Sequence, residues 1–381
     1  MTHAGFRTTL LKINQLIWTA RGAVVLVFCL IFIGGLVTSW QAGMAVPDWP
    51  LSFGSFNPEG WWANFPVRLE HGHRLFAACV GVVVGVLCAG VWGNMRALWV
   101  AVFVSVVASW MGGKYGAPLS MRAHLGIWPA AIAFLVWLLA GGSSRSQTGR
   151  TERVLALIAF VLVCCQATLG GLRVTRETAG FVDVALVFRI VHACVAQGFL
   201  VVLVALAARL ALLRTEAPGM SSPVIGPSLR WVGAAVIAVY GQLVLGATMR
   251  HMGAGLAIPT FPAANSEGGW LPKVHNLYTD INFSHTRIGA FFVVLLVLVA
   301  IYQPARAFAS SRGSAVFARA ILCGGLVVLQ AILGVLVVLH QKPKTLASLH
   351  VVLGAALLAS LAALWVHLAS LYFPTGRGEA R

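Results

Sequence analysis

Apolar residues in this chain come in long unbroken runs rather than at alternating or heptad positions. Ten such runs cover approximately 22–40, 72–93, 97–113, 123–141, 154–174, 189–209, 231–250, 284–302, 319–339 and 348–371. Each holds roughly 17 to 24 residues, enough to cross a hydrocarbon core of about 30 Å as a helix. Lipid offers backbone amides no partner, and the runs are too long and too uniformly apolar for barrel strands. Each is therefore expected to close its hydrogen bonds internally as an α-helix. The pattern predicts an all-α polytopic membrane protein. Composition agrees: 59% of the 381 residues are apolar and 10% charged, too few polar groups to cover a water-soluble globule.

A net charge of +17 would suggest nucleic acid as the partner of a soluble protein, but here the placing of the charges argues for lipid instead. Arg7, Lys12 and Arg21 precede or open the first run. Arg96, then Arg145, Arg150 and Arg153, then Arg209, Arg214 and Arg230, then Arg306, Arg312 and Arg319, and finally Arg377 and Arg381 mark every second connection. The positive-inside rule puts these segments and both termini in the cytoplasm. Asp48, Glu59, Glu70, Glu177, Asp183, Glu267 and Asp280 fall on the other side. No small-residue cleavage site follows Trp40, so the first run is expected to be an uncleaved span. All seven cysteines lie within runs and neither long outer loop holds one, which excludes a loop disulfide.

The chain also repeats itself. Gly34–Pro50 reads GGLVTSWQAGMAVPDWP and Gly246–Pro262 reads GATMRHMGAGLAIPTFP, with identities at Gly34, Ala42, Gly43, Ala45, Pro47 and Pro50. At the same offset of 212 residues, His73 in RLEHGHRLF falls on His285 in INFSHTRIG. Gln166 in QATLGGLRV is followed by His192, as Gln330 in QAILGVLVV is followed by His350. Two tandem related four-helix halves are expected, over 1–213 and 231–381, joined by a cytoplasmic linker over 214–230. Both run in the same orientation, about an axis along the membrane normal. Residues 96–153 have no counterpart and read as an inserted helical hairpin, which brings the count to ten.

Nine of the eleven histidines fall in the outer half: His71, His73, His124, His192, His251, His275, His285, His340 and His350. Imidazole is the usual axial ligand of haem iron, and two rings on facing helices clamp a porphyrin. The repeat-matched histidines His73, His192, His285 and His350 are expected to form two such clamps, because mere capping of helix ends would not require matched spacing in both halves. His124, at a helix start like that of His350, competes with His192 as the partner of His73. His71, His251, His275 and His340 read as interface residues.

Glu70 shares a helix face with His73 and is placed to act as acid, base or electrostatic stabiliser. Its matched position holds Asn282, so the halves are chemically unequal. Arg74 and Arg287 are candidate partners for haem propionates, with snorkelling at a helix end as the competing reading. Trp40, Trp49, Trp61, Trp62 and Trp270 are candidates to cover a porphyrin face or to form an aromatic belt.

These residues resemble the haem A synthase family. The likeness rests on Glu70-His71-Gly72-His73-Arg74, which matches the family's Glu-x-x-His-Arg motif, on the AGMAVPDWP and AGLAIPTFP loops, on FSHTRIG and on LHVVLGA. It extends over nearly the whole chain outside 96–153. The resemblance implies an oxidoreductase that converts a methyl group of haem O to the formyl group of haem A in two successive oxidations, for haem-copper oxidase biogenesis. It implies substrate haem O on His73 and His192, a haem B cofactor on His285 and His350, and an important acid at Glu70. The implied location is the bacterial cytoplasmic membrane with the haem sites toward its outer face. Implied partners are the haem O-producing enzyme and an electron-transfer partner that no residue identifies.

Three departures stand out. The cysteine pair of some relatives' first outer loop is absent, Thr286 occupies the position matching Arg74, and the hairpin exceeds the family's eight helices. The same clamps would also suit an electron-transferring dihaem b-type cytochrome or a haem carrier.

Overall fold

A computed structural model describes residues 3–141, 146–175, 183–214, 223–309 and 315–373. Arg145, Glu177, Arg312, Arg377 and Arg381, and the linker residues 215–222, lie outside the described residues. The described chain is helical, and ten of its helices are long and apolar enough to cross a membrane. They are α1 (His3–Ser39), α2 (Phe65–Trp92), α3 (Arg96–Lys114), α4 (Leu119–Ala140), α5 (Arg150–Thr175), α6 (Val184–Leu212) and α7 (Ile225–His251). They continue with α8 (Leu277–Ala307), α9 (Ala315–Leu339) and α10 (Lys344–Tyr372).

The helices overrun the apolar runs that predict them. α1 begins at His3 rather than near 22, so Lys12 and Arg21 lie within the helix and exposed. Arg21 lays its guanidinium over the Trp18 ring at 5.1 Å. Polar helix ends cost little once a helix is nucleated, because Lys and Arg keep their heads in water along an apolar stem.

Local sequence sets the ends. At the start of α2 the Asn64 side chain accepts from Val67 N–H and proline stands in the first turn. At its end Gly93 adopts φ 68°, while Asn94 N–H bonds back to Ala89 O, the αL close that glycine permits without a Cβ clash. α8 opens on a reciprocal capping box between Asn276 and Thr279.

By its contacts the chain divides into two compact units, Met1–Leu210 and Ala211–Arg381. In the second, α7 packs against α8 and α10, and α9 packs against the same two helices, which closes a four-helix ring. In the first, α1 packs on α2 and α2 on α5, while α3 and α4 form a tight antiparallel pair beside α2. Small residues allow that closeness. A Cβ at Gly126 would meet Ser109 Oγ at 2.6 Å and Ser105 Oγ at 3.0 Å, the close backbone approach by which membrane helices gain dispersion contacts. The hairpin is also tied to α5, where Phe134 and Phe160 pack with ring centroids 4.5 Å apart.

Each unit carries a loop of matching shape after its first helix. A 3₁₀ turn at Ala42–Met44 leads to a cis Trp49–Pro50 bond, and a 3₁₀ turn at Ala254–Leu256 leads to a cis Phe261–Pro262 bond. At the opposite end of the first unit, buried Glu152 pairs with Arg209 at 2.9 Å and joins α5 to α6. Ser146 and Thr148 donate to Val91 O at the end of α2.

Candidate functional site

Four histidines share one local geometry. The ring of His73 on α2 lies against Gly34 of α1, where a Cβ would sit 3.1 Å from Cε1. His192 on α6 lies against Gly170 of α5 (3.5 Å), His285 on α8 against Gly246 of α7 (2.6 Å), and His350 on α10 against Gly334 of α9 (3.0 Å). In every case a glycine on the preceding helix supplies a flat seat, and at Gly34, Gly246 and Gly334 even a Cβ would crowd the ring. The Nδ1 atoms of His73, His285 and His350 are buried and make no hydrogen bond within the protein. Buried polar atoms without partners are rare, and three imidazoles in this state fit rings reserved for an external ligand such as haem iron.

The seats give a graded expectation. Gly246→Ala should displace the His285 ring, since overpacking of this kind costs about 1–3 kcal/mol, and should lower any haem content of this unit the most. Gly170→Ala, where the contact is an ordinary 3.5 Å, should change haem content little. The haem-to-protein ratio after purification checks the order.

Glutamines anchor the histidine helices. Gln166 Nε2 donates to His192 O at 3.1 Å and Gln242 Nε2 to His285 O at 2.8 Å. Gln330 Nε2 instead stands 3.3 Å from His350 Nε2.

Beside His73 the first unit holds a buried ionic cluster. Glu70 is 2% exposed. It accepts from Arg74 Nε at 3.1 Å and from Arg173 Nη2 at 3.0 and 2.9 Å. Arg173, on α5, escapes the sequence reading, although one signal exists: QATLGGLRV carries Arg173 where QAILGVLVV carries Val337. The second unit has a neutral counterpart. Asn282 is fully buried and donates through Nδ2 to Ala254 O at 2.9 Å, while Thr286 Oγ1 donates to Asn282 O at 2.7 Å.

The arginines after the histidines direct their donors at the loops. Arg74 donates to Val46 O (2.9 Å), Asp48 O (2.5 Å) and Leu51 O (2.9 Å). Arg287 donates to Thr260 O (2.6 Å) and Ala263 O (2.8 Å). These bonds staple each cis-proline loop to the histidine helix. The one-residue displacement from Arg74 to Arg287 has a structural cause: Ser284–Gly289 is a π segment, which inserts a residue into the helix and returns Arg287 to the loop. Arg287 Nε remains buried without an acceptor, whereas four hydrogen bonds engage Arg74.

The remaining candidates separate clearly. His124 Nδ1 donates to Ser120 O at 2.9 Å and its ring meets the edge of Trp49 at 5.3 Å. His71 bonds Ser52 Oγ at 2.8 Å and packs on Trp61 at 4.7 Å. His275 pairs with Asp280 at the surface. Of the loop tryptophans, Trp49 lies against Gly171 and Trp40 packs on Phe65, while Trp62 and Trp270 are exposed.

Comparison with known proteins gives a consistent picture. A family model described as cytochrome oxidase assembly protein matches residues 18–362. A heme A synthase of Symbiobacterium thermophilum is 28% identical over 274 residues, covering 70% of this chain and 67% of the relative. A heme A synthase of Beijerinckia indica is 25% identical over 348 residues, 86% of this chain and 85% of its own. One from Halalkalibacterium halodurans is 25% identical over 335 residues, 86% and 88% respectively. With ten helices of spanning length and this family match, the chain is an integral membrane protein.

Proposed function

The chain belongs to the family of cytochrome oxidase assembly proteins that includes the haem A synthases, and from that premise we propose that it oxidises a methyl group of haem O to the formyl group of haem A. The reaction proceeds by two successive two-electron oxidations at one carbon, each adding a hydroxyl oxygen from water and releasing two protons: the first gives the alcohol, and the second the geminal diol, which loses water to leave the aldehyde. The N-terminal half takes substrate haem O on His73 and His192; the C-terminal half takes cofactor haem B on His285 and His350. The halves are tandem copies of one four-helix unit, in the cytoplasmic membrane with both sites toward its outer face. An enzyme that makes haem O supplies the substrate, and a separate electron-transfer partner accepts the four electrons released.

The observation that carries this reading is the inequality of two otherwise matched histidine seats. Glu70, between Arg74 and Arg173, stands where the second unit has Asn282. A fixed carboxylate beside one seat gives that site a group for proton transfer or for stabilising positive charge near the reacting carbon. The amide in the other seat offers neither. Bound haem B would supply one-electron chemistry, while the chain binds, orients and covers both porphyrins. A dihaem cytochrome or a haem carrier would need no carboxylate for chemistry at either seat.

Co-expression with a haem O source tests the reading. The wild-type chain should yield the alcohol and haem A, identified in extracted pigment by chromatography and mass. Protein that fills both sites yet returns haem O unchanged under turnover conditions would refute it.

A further inference from the structure

The α3–α4 hairpin has no counterpart in the second unit, and the activity proposed above gives it no task. Its far face carries Trp99 and Phe103, 75% and 69% exposed, as a lipid-facing helix would. Its near face reaches the substrate-side loop. Trp128 packs on Trp49 with ring centroids 6.0 Å apart and an interplanar angle of 34°. His124 meets the same indole edge-on at 5.3 Å. The same indole also lies against Gly171 of α5, where a Cβ would sit 2.6 Å from the ring. Trp49 is thus held between α4 and α5, one residue along α5 from the glycine that seats His192.

The backbone around Trp49 is fixed from a third direction. Arg74 donates to the carbonyls of Val46, Asp48 and Leu51. A Cβ at Gly43 would touch Arg173 Nη1 at 3.4 Å. The loop therefore rests on the same two arginines that hold Glu70. In the second unit the matched aromatic, Phe261, is held differently, by the Arg287 guanidinium 5.6 Å from its ring centroid. An aromatic residue at this loop position is secured in both units, and only in the first does the inserted hairpin do it.

We propose that the α3–α4 hairpin is a positioning element of the substrate site, in which Trp128 and His124 hold Trp49 against Gly171 and so fix the cis-proline loop beside the His73 and His192 seats. The inference rests on the reading that this unit takes haem O. It assigns His124 a supporting contact to Trp49, with His192 left as the ring facing His73. Trp128 makes none of the contacts described above to Glu70, His73 or His192, so loosening the clamp there should weaken haem O binding while the chemical step is preserved.

The test uses the full-length chain in detergent, with haem O titrated and followed by its Soret band. Trp128→Ala removes one aromatic pair and should weaken haem O binding about threefold to tenfold. KM should rise by a similar factor with kcat nearly unchanged, and the spectrum of the cofactor haem should be unaltered. Trp128→Phe should restore most of the affinity. Trp99→Ala, on the lipid face of the same hairpin, should titrate as wild type. The proposal is overturned if Trp128→Ala binds haem O like wild type, if phenylalanine fails to rescue, or if cofactor haem is lost in equal measure. Titration does not require turnover, so wild-type protein that binds haem O without oxidising it would refute the proposed activity and leave this inference standing.

Discussion

Glu70→Gln is expected to lower haem A formation by about two orders of magnitude or more, the usual scale for losing a positioned acid or base, with the bound-haem spectrum retained. Glutamine keeps the size of the side chain and one acceptor oxygen for Arg74 and Arg173. Alanine is a poorer probe. It would leave two guanidinium groups without their buried carboxylate, and removing one member of such a pair costs about 3–5 kcal/mol. Loss of activity in Glu70→Ala would then report local unfolding as readily as chemistry. The measurement is the haem O, alcohol and haem A content of extracted pigment, normalised to protein. A glutamine variant that makes haem A at close to the wild-type rate would remove Glu70 from the reaction and reduce the cluster to a staple for the loop.

The second large effect belongs to the other unit. His285→Ala and His350→Ala should each lose most of the tightly bound haem and its low-spin spectrum, because each removes one of two axial ligands. His73→Ala should keep that spectrum, since it leaves the second unit intact. An unchanged low-spin spectrum in both C-terminal variants would break the assignment of cofactor and substrate to the two units. Among the described residues the two rings make no ion pair, so membrane levels of the variants, measured alongside, separate loss of haem from loss of protein.

The ten spanning helices were legible because lipid demands long uninterrupted apolar runs, a signal that composition alone carries. Their ends were not, since α1 continues through Lys12 and Arg21, whose apolar stems suit a helix as well as a loop. The four seated histidines stood out through matched spacing. Arg173 did not, because one arginine near a helix end looks like any snorkelling residue until Glu70 is placed 2.9 Å away. The loop staples were hidden for a related reason: Arg74 and Arg287 bond to carbonyls, and backbone acceptors leave no trace in side-chain identity. The displacement between those arginines was visible as an anomaly at Thr286. Its cause was not, since a π segment is a property of hydrogen-bond register rather than of composition.

Under the proposed assignment of a haem to each unit, the glycine seats bear on how long each porphyrin stays. A ring lodged against a bare backbone has little freedom left to lose, so the ordering that iron ligation requires is largely complete once the helices have packed. His73, His285 and His350 share this preparation most fully, while the His192 ring is at an ordinary contact distance from its glycine. Ligand identity, histidine at every seat, therefore does not by itself make one porphyrin a resident and the other a visitor under the proposed assignment. On the proposed reading, a difference in residence time arises in what surrounds the seats: the Glu70 cluster against Asn282, and the covers, where one aromatic is pinned by a cation from its own unit and the other by an added pair of helices.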